Sequence, residues 1–108
     1  MKIYFNKLFP GKLPPDFLHE LISQYTGADE ATVVGSGVGE DATVIDIGDR
    51  LLLVKTDPVT FVTDQIGYYA VHVNANDIYC MGGRPRWFLA TVLLPEQTST
   101  RSLATEIF

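Results

Sequence analysis

A first stretch of the chain carries apolar residues at the spacing of one helix face. Its apolar positions are Phe17, Leu18, Leu21 and Ile22. Proline suits the first turn of a helix because its backbone angle is already helical there. We therefore predict a helix that begins at Pro14 and Pro15 and ends near Gly27.

A second helical pattern runs from Asp64 to Met81. Its apolar stripe repeats about every 3.6 residues and consists of Ile66, Ala70, Val73 and, unexpectedly, the acidic Asp77. We expect Gly82 and Gly83 to end this helix, and Pro85 prevents its resumption.

Two shorter segments between these helices have the pattern of strands. Residues 42–47 alternate in the period-two manner of a strand, and "LLLVKTD" over residues 51–57 is an apolar run typical of a buried one. The intervening "GDR" predicts a turn, so the pair is expected to form a hairpin.

The last quarter of the chain predicts one more strand and one more helix. "RWFLATVLLP", residues 86–95, is rich in aromatic and β-branched residues and predicts a third strand. Thr98 and Ser99 then resemble helix caps before apolar positions at helical spacing, which are Leu103, Ala104, Ile107 and Phe108. Because this helix has no stop signal, we expect residues 1–108 to be the front domain of a longer polypeptide, cut within its last helix.

The order helix, strand, strand, helix, strand, helix predicts an α+β domain. We expect a mixed or antiparallel sheet with helices on one face. The length of 108 residues, with 46% hydrophobic and 19% charged content, suits one globular domain.

Charge and cysteine content exclude several classes of protein. The net charge of −5 and the scattered lysines and arginines argue against a nucleic-acid partner. No apolar run is long enough for a membrane span or a signal peptide, so we expect a cytoplasmic protein without membrane attachment. Cys80 is the single cysteine, which excludes an internal disulfide, and we expect it to be packed as a small hydrophobic residue.

The stretch "VGSGVGEDATVIDI", residues 34–47, places two acidic residues between a glycine loop and a strand. A three-residue hairpin turn would set Asp41 opposite Asp57, whereas a two-residue turn would set Glu40 there. Like charges on directly opposed strand positions destabilise the pair. A bound cation would relieve the repulsion, since Mg²⁺ is usually held by one or two carboxylates together with substrate phosphates.

Asp77 is a third acidic residue in an unfavourable place. It lies on an apolar stripe and near the C-terminal end of its helix, where the helix dipole disfavours a negative charge. Each acidic residue alone could be a solvent-exposed loop or helix-end residue. Considered together with the glycine loop, they indicate a site for a metal ion and phosphate.

The glycine loop does not match two familiar nucleotide-binding patterns. Gly35, Gly37 and Gly39 lack the lysine and spacing of a phosphate-binding loop, and they precede a strand rather than follow one. Those two nucleotide-binding folds are therefore excluded.

Three motifs together resemble the N-terminal domain of the aminoimidazole ribonucleotide (AIR) synthetase superfamily. They are "GVGEDATVIDIG", "VKTDPVT" and "AVHVNANDIYCMGGRPRWF", and the resemblance runs from about Gly35 to Pro95. The superfamily includes AIR synthetase, thiamine-monophosphate kinase, selenophosphate synthetase and a hydrogenase-maturation protein that dehydrates a carbamoylated cysteine.

The resemblance implies that the domain binds ATP and Mg²⁺. It implies Asp41, Asp57 and Asp77 as the metal ligands, and it assigns nucleotide contacts to Gly37, Gly39, Glu40, Asp41, Asn74 and Asp77. Glu40 stands where the family often has aspartate. The resemblance also implies a homodimer in which two sheets close into a barrel.

The motifs leave several family members open. The "GGRPRWF" ending resembles the hydrogenase-maturation group and an unassigned AIR-synthetase-related group. The resemblance implies a protein cysteine as the acceptor in the hydrogenase-maturation group. The selenophosphate synthetase group is disfavoured because its cysteine-bearing, glycine-rich N-terminal segment is missing. Thiamine-monophosphate kinase, with a small-molecule acceptor, stays possible, although "PVTFVTDQ" departs from its pattern.

The chemistry implied is phosphoryl transfer or ATP-driven dehydration, in which the protein mainly positions the phosphates. These residues offer no general base. Arg84 and Arg86 either offset the helix dipole or reach a phosphate. Two alternatives to an enzyme are a nucleotide-sensing dimerisation module and a domain that binds a divalent ion without nucleotide.

Overall fold

The computed structural model describes residues 7–60 and 64–108. Within these ranges three helices and three strands follow one another in the order α1 Pro15–Tyr25, β1 Thr32–Val34, β2 Thr43–Asp46, β3 Leu51–Val54, α2 Ile66–Cys80 and α3 Arg101–Ile107. The α+β class predicted from the sequence is confirmed.

Helix α1 has the bounds that its two prolines predict. Pro14 precedes it as the cap residue with extended backbone angles, and Pro15 occupies the first turn. The helix ends where the Thr26 N–H donates to the Ile22 carbonyl at 3.0 Å. Gly27 follows directly, as expected.

Two glycines end helix α2, which confirms the sequence prediction. Gly82 has a positive φ of 78°, an angle that glycine adopts without steric cost. Its N–H donates to the Tyr79 carbonyl at 2.9 Å, and the Gly83 N–H donates to the Ile78 carbonyl at 2.9 Å. These two bonds form a Schellman motif, which satisfies carbonyls that the helix end leaves without partners.

The sheet is antiparallel, with strand order β1-β2-β3. Strand β1 was not predicted, since its three residues are too short to show an alternating pattern. Strand β3 ends at Val54, so the predicted strand over residues 51–57 is shorter than expected.

The hairpin between β2 and β3 has a two-residue turn. Asp46 pairs with Leu51, and the Ile47 N–H donates to the Arg50 carbonyl at 3.1 Å. Gly48, with φ of 99°, and Asp49 therefore form the turn. Of the two registers considered, the structure selects the one that would align Glu40 with Asp57, although strand pairing ends before either residue.

Residues 86–95 do not form the predicted third strand. A strand needs a neighbour that accepts its backbone hydrogen bonds, and the described part of the chain places none beside this segment. Its apolar residues are instead exposed, including Trp87 at 72%, Leu89 at 92% and Leu93 at 90%. Propensity alone was a misleading guide here.

Helix α3 is capped by Thr100 rather than by the predicted Thr98 or Ser99. The Thr100 hydroxyl accepts a hydrogen bond from the Leu103 N–H at 3.1 Å. The Ser99 hydroxyl donates to the Pro95 carbonyl and is therefore engaged elsewhere.

The buried apolar residues of the described ranges lie at the start of β2. They are Ala42 and Val44, which are 6% and 7% exposed. None of the helices within residues 7–60 and 64–108 is both long and apolar enough to cross a membrane.

Candidate functional site

A buried lysine lies between two of the acidic residues singled out by the sequence. The side chain of Lys55 is 4% exposed, and its Nζ lies 3.6 Å from Asp57 Oδ2. The same Nζ forms an ion pair with Asp77 Oδ2. Lys55 is therefore the shared counter-ion of Asp57 and Asp77, which we call the carboxylate pair.

Local backbone geometry explains this arrangement. Lys55 follows directly after β3, and residues two apart in an extended chain point to the same side, so Lys55 and Asp57 share a side. Asp77 comes from the last turn of α2 and approaches from a different element. Its side chain is 30% exposed and that of Asp57 is 45% exposed, so both carboxylates stay accessible to solvent.

Asn74 fastens α2 to the segment that carries Asp57. Its Nδ2 donates to the Ala70 carbonyl at 2.8 Å within the helix and to the Asp57 carbonyl at 3.2 Å across to that segment. Asn74 lies three residues before Asp77, on neighbouring positions of the helix surface. Its amide therefore helps to hold the carboxylate pair together.

A cleft of about 480 Å³ lies between the glycine loop and the end of β3. We call it the glycine-loop cleft; its lining residues are Ile22, Gly35, Ser36, Gly37, Glu40, Asp41, Ala42, Thr43, Val54, Lys55 and Thr56. The Glu40 N–H donates to the Gly37 carbonyl at 3.1 Å, which folds the loop into a turn. Gly39 has a positive φ of 86°, which suits glycine at this bend.

The structure thus places the predicted residues in two adjoining groups. Asp57, Asp77 and Asn74 meet around the end of β3, whereas Gly37, Glu40 and Asp41 line the glycine-loop cleft. Lys55 belongs to both groups. Within residues 7–60 and 64–108, no group of three or more histidine, cysteine, aspartate or glutamate side chains is arranged to hold a metal ion. The three-aspartate metal site stays a prediction.

The two carboxylates of the pair nevertheless suit a cation. They converge on one ammonium group, which shows that a positive charge is accommodated between them. Mg²⁺ commonly takes one or two protein carboxylates and completes its shell with water and phosphate oxygens. The donor set present here fits that requirement.

Lys55 is the site residue that sequence reasoning missed. A usable signal existed: a single lysine interrupts the apolar run "LLLVKTD" two residues before Asp57. Burial of an ammonium requires an ionic partner, and Asp57, on the same side of the extended chain, is the nearest candidate along the sequence.

Two further expectations concern residues near the end of α2. Cys80 is exposed, so its expected role as a packed small hydrophobic residue is wrong. The Arg86 guanidinium lies 4.9 Å from the centre of the Trp87 ring, a cation–π geometry. Neither Cys80 nor Arg86 lines the glycine-loop cleft.

The resolved shifts in pKa lie away from the site, at the hairpin turn. The Arg50 guanidinium donates to the neighbouring Asp49 carboxylate and lowers the pKa of Asp49, which in turn raises the pKa of Arg50. Both side chains are largely exposed, and solvent screens such pairs strongly. We assign this pair no role in the site.

Residues 39–108 match the profile of the family described as "AIR synthase related protein, N-terminal domain". The chain belongs to this family. The matched region contains the acidic motif at Glu40 and Asp41, the carboxylate pair and Asn74, so the resemblance stated from the sequence is confirmed.

Individual relatives belong to two kinds of enzyme. The chain is 40% identical over 79 residues to a selenide, water dikinase of Geobacter sp. (strain M21), an alignment that covers 68% of this chain and 23% of the relative. It is 34% identical over 107 residues to a selenide, water dikinase of Aeromonas salmonicida, covering 89% of this chain and 30% of the relative. It is 29% identical over 91 residues to a thiamine-monophosphate kinase of Buchnera aphidicola, an alignment that covers 74% of this chain and 28% of the relative.

The chain therefore spans between about a quarter and a third of the length of these relatives. No solved structure gives a significant match to the chain. The similarity to selenide, water dikinases runs against the sequence argument that disfavoured that group, and the hydrogenase-maturation preference stays unconfirmed.

Proposed function

We propose that this chain is the ATP- and Mg²⁺-binding N-terminal domain of an ATP-dependent phosphotransferase. The observation that carries the proposal is the position of the carboxylate pair, which shares Lys55 with the glycine-loop cleft. The named relatives support it, since both kinds are kinases by name.

In this proposal each group of residues has a separate task. Asp57 and Asp77, together with Asp41, hold Mg²⁺, which when bound neutralises charge on the phosphate oxygens. Gly37 and Gly39 let the backbone approach the phosphates closely, because a glycine carries no side chain there.

Glu40 and Asn74 complete the proposed nucleotide contacts. Glu40 lines the glycine-loop cleft, so its carboxylate lies beside the space that the nucleotide would fill. Asn74 orients the segment of Asp57 through the hydrogen bond to its backbone carbonyl. The domain therefore positions the phosphates, and the acceptor and any general base come from elsewhere in the enzyme.

The acceptor differs between the two candidate functions. The relatives favour a small molecule, by analogy with the kinases that they are named as. The "GGRPRWF" ending of the third motif favours the hydrogenase-maturation group, in which ATP drives dehydration on a protein cysteine. Product analysis separates them, because the first yields a phosphorylated small molecule and the second a dehydrated cysteine derivative.

We also propose that the domain forms a homodimer in the cytoplasm. Support for the dimer comes from the exposed apolar segment of residues 87–94, whose large side chains are Trp87, Phe88, Leu89, Val92, Leu93 and Leu94. Large exposed apolar patches mark interaction surfaces in water-soluble proteins.

Thermal unfolding of the full-length protein tests the proposed function. A ligand that binds only the folded state raises the midpoint, and the rise grows with the ratio of its concentration to its dissociation constant. We expect ATP with Mg²⁺ to raise the midpoint more than Mg²⁺ alone. Equal midpoints under both conditions would favour a domain that binds a divalent ion without nucleotide. A shift in midpoint without turnover would favour a nucleotide sensor.

The Asp57→Asn variant locates the effect in the site. It removes one carboxylate charge of the pair, and we expect it to abolish the Mg²⁺-dependent part of the shift. Glu96→Gln is the matched control, since it removes an exposed carboxylate outside the cleft. If Asp57→Asn keeps the full shift, Asp57 is not part of the site.

A further inference from the structure

We propose that the ammonium of Lys55 competes with a divalent ion for the carboxylate pair, and that Lys55 moves to a phosphate oxygen when a nucleotide and the ion bind together. The inference rests on the proposed function for the identity of the nucleotide. The competition itself is a property of Lys55, Asp57 and Asp77.

The first step of the argument is the position of Nζ. It contacts Oδ2 of Asp77 and lies 3.6 Å from Oδ2 of Asp57, so it occupies the space between the two carboxylates. A Mg²⁺ ion bound to these oxygens needs distances of about 2.0–2.1 Å and lies in that same space. Lys55 must therefore leave the pair before the pair can coordinate an ion.

The second step is the difference in exposure. The Lys55 side chain is 4% exposed, whereas the Asp57 and Asp77 side chains are 45% and 30% exposed. An ion can reach the carboxylates from solvent, but the displaced ammonium loses both of its ionic partners. A buried ammonium without a partner is costly, so an ion alone binds weakly.

The third step is the destination of Lys55. Lys55 lines the glycine-loop cleft together with Ser36, Gly37 and Thr56. A lysine has a flexible four-carbon stem and three donors, and it binds phosphate well as a point charge. A phosphate in the cleft would offer the ammonium a new anionic partner in place of the two carboxylates.

Coupling between ion and nucleotide follows from these steps. An ion that binds alone displaces Lys55 without compensation, whereas a nucleotide supplies the compensation. Each ligand should therefore raise the affinity for the other by the same factor. The phosphates also contact the ion directly and contribute to the coupling. If the ion pair were purely structural, no part of the coupling would depend on Lys55.

The test is a titration of the full-length protein with Mn²⁺, followed by electron paramagnetic resonance of the free ion. Lys55→Met removes the ammonium and keeps the aliphatic stem, and we expect it to bind Mn²⁺ alone on the order of tenfold tighter, within the usual range of coupled sites. Lys55→Arg keeps the charge and should behave as the wild type. Lys12→Met is the matched control, since it removes an exposed lysine charge.

A second arm adds ATP to each titration and subtracts a protein-free titration of Mn²⁺ with ATP, because ATP itself chelates Mn²⁺ and lowers the free-ion signal. We expect ATP to increase the Mn²⁺ affinity of the wild type more than that of Lys55→Met. Equal Mn²⁺ affinities for the wild type and Lys55→Met, or no Mn²⁺ binding to either, overturn the competition. If ATP adds no effect beyond that of the protein-free titration in any variant, the proposed function fails, while the Mn²⁺-only comparison still decides the competition.

The wild-type protein supplies a measurement that does not depend on a variant folding. Acetylation of lysines, read by mass spectrometry, should leave Lys55 protected without ions because it is buried and paired. Saturating Mn²⁺ should raise its modification several-fold, with Lys12 unchanged. Protection of Lys55 that persists when Mn²⁺ is bound overturns the inference.

Discussion

Lys55 gives two of the three unfavourable acidic positions, Asp57 and Asp77, a different physical explanation from the one that the sequence suggested. Repulsion between Asp57 and Asp77 is relieved by a lysine of the same chain. Because the Lys55 side chain is buried, removing a carboxylate would leave the buried ammonium poorly paired. Removing the ammonium would in turn restore the repulsion between the carboxylates.

The Asp77→Asn variant should be less stable than the wild type. It removes the nearest partner of a buried ammonium, which normally costs several kcal/mol, but Asp57 and partial solvent access reduce the loss. We expect about 1–3 kcal/mol, measured by urea unfolding of the full-length protein. Asp57→Asn should cost less, since its carboxylate is more exposed and 3.6 Å from Nζ. Equal losses for both variants would contradict this ranking.

Gly83 packs where no side chain fits. A Cβ there would collide with Leu53 Cδ1 of the sheet, and it would lie 3.0 Å from Ile78 Cγ2 and 3.2 Å from the Ile78 carbonyl oxygen. We expect Gly83→Ala to lower the thermal midpoint, because part of the obstruction is backbone.

The matched control for Gly83→Ala is Gly27→Ala. An added Cβ at Gly27 meets nothing within 4 Å, and its φ lies outside the positive range. This change should be neutral or raise stability by about 0.4–1 kcal/mol, since alanine restricts the unfolded chain. A decrease in the midpoint for both variants would mean that the crowding at Gly83 is not the cause.

Residue by residue, the sequence predicted the acidic members of the candidate site but not their counter-ion. The sequence pattern predicts repulsion across the hairpin, where Glu40 or Asp41 would oppose Asp57. Strand pairing ends at Thr43 and Val54, so that register does not govern them. The interaction that forms joins the segment directly after β3 to α2, and its geometry depends on tertiary packing that periodicity does not contain.

Among the elements, the helices were predictable because their signals are local. Proline at the start of α1 and the two glycines after α2 act through their own backbone angles. The conformation of residues 86–95 was not predictable in this way, because a strand forms only beside a partner strand. β1 pairs with β2 despite a sequence too short to predict.

Helix α3 depends on one capping residue. It has seven residues, a length at which an isolated helix is marginal. Thr100→Ala removes the hydroxyl that accepts from the Leu103 N–H, and the loss of such a cap costs about 0.5–2 kcal/mol. We expect faster amide hydrogen exchange within α3. Thr98→Ala is the control, and equal exchange in both variants would reject Thr100 as the cap.

At the scale of the whole molecule, the described chain is more open than a closed domain of its length. Its radius of gyration is 17.7 Å, whereas a compact domain of this size has about 13 Å. Only Ala42 and Val44 among the described hydrophobic residues are buried. Because so many large apolar side chains are exposed, we expect them to be buried against a second copy of the chain or against the remainder of a longer polypeptide.

The exposed apolar segment at residues 87–94 is where association should be decided. Leu89 and Leu93 are 92% and 90% exposed, so their burial against a partner would gain roughly 1.5–3 kcal/mol per side chain. Replacing both with lysine would place two charges in that contact, and we expect sedimentation velocity of the full-length protein to show a shift from dimer to monomer. The control replaces Phe9 and Tyr25 with lysine, since these are also exposed, at 91% and 80%, and add the same charge outside the segment. Dimerisation that survives the leucine replacements, or is lost equally in the control, would remove the segment from the interface.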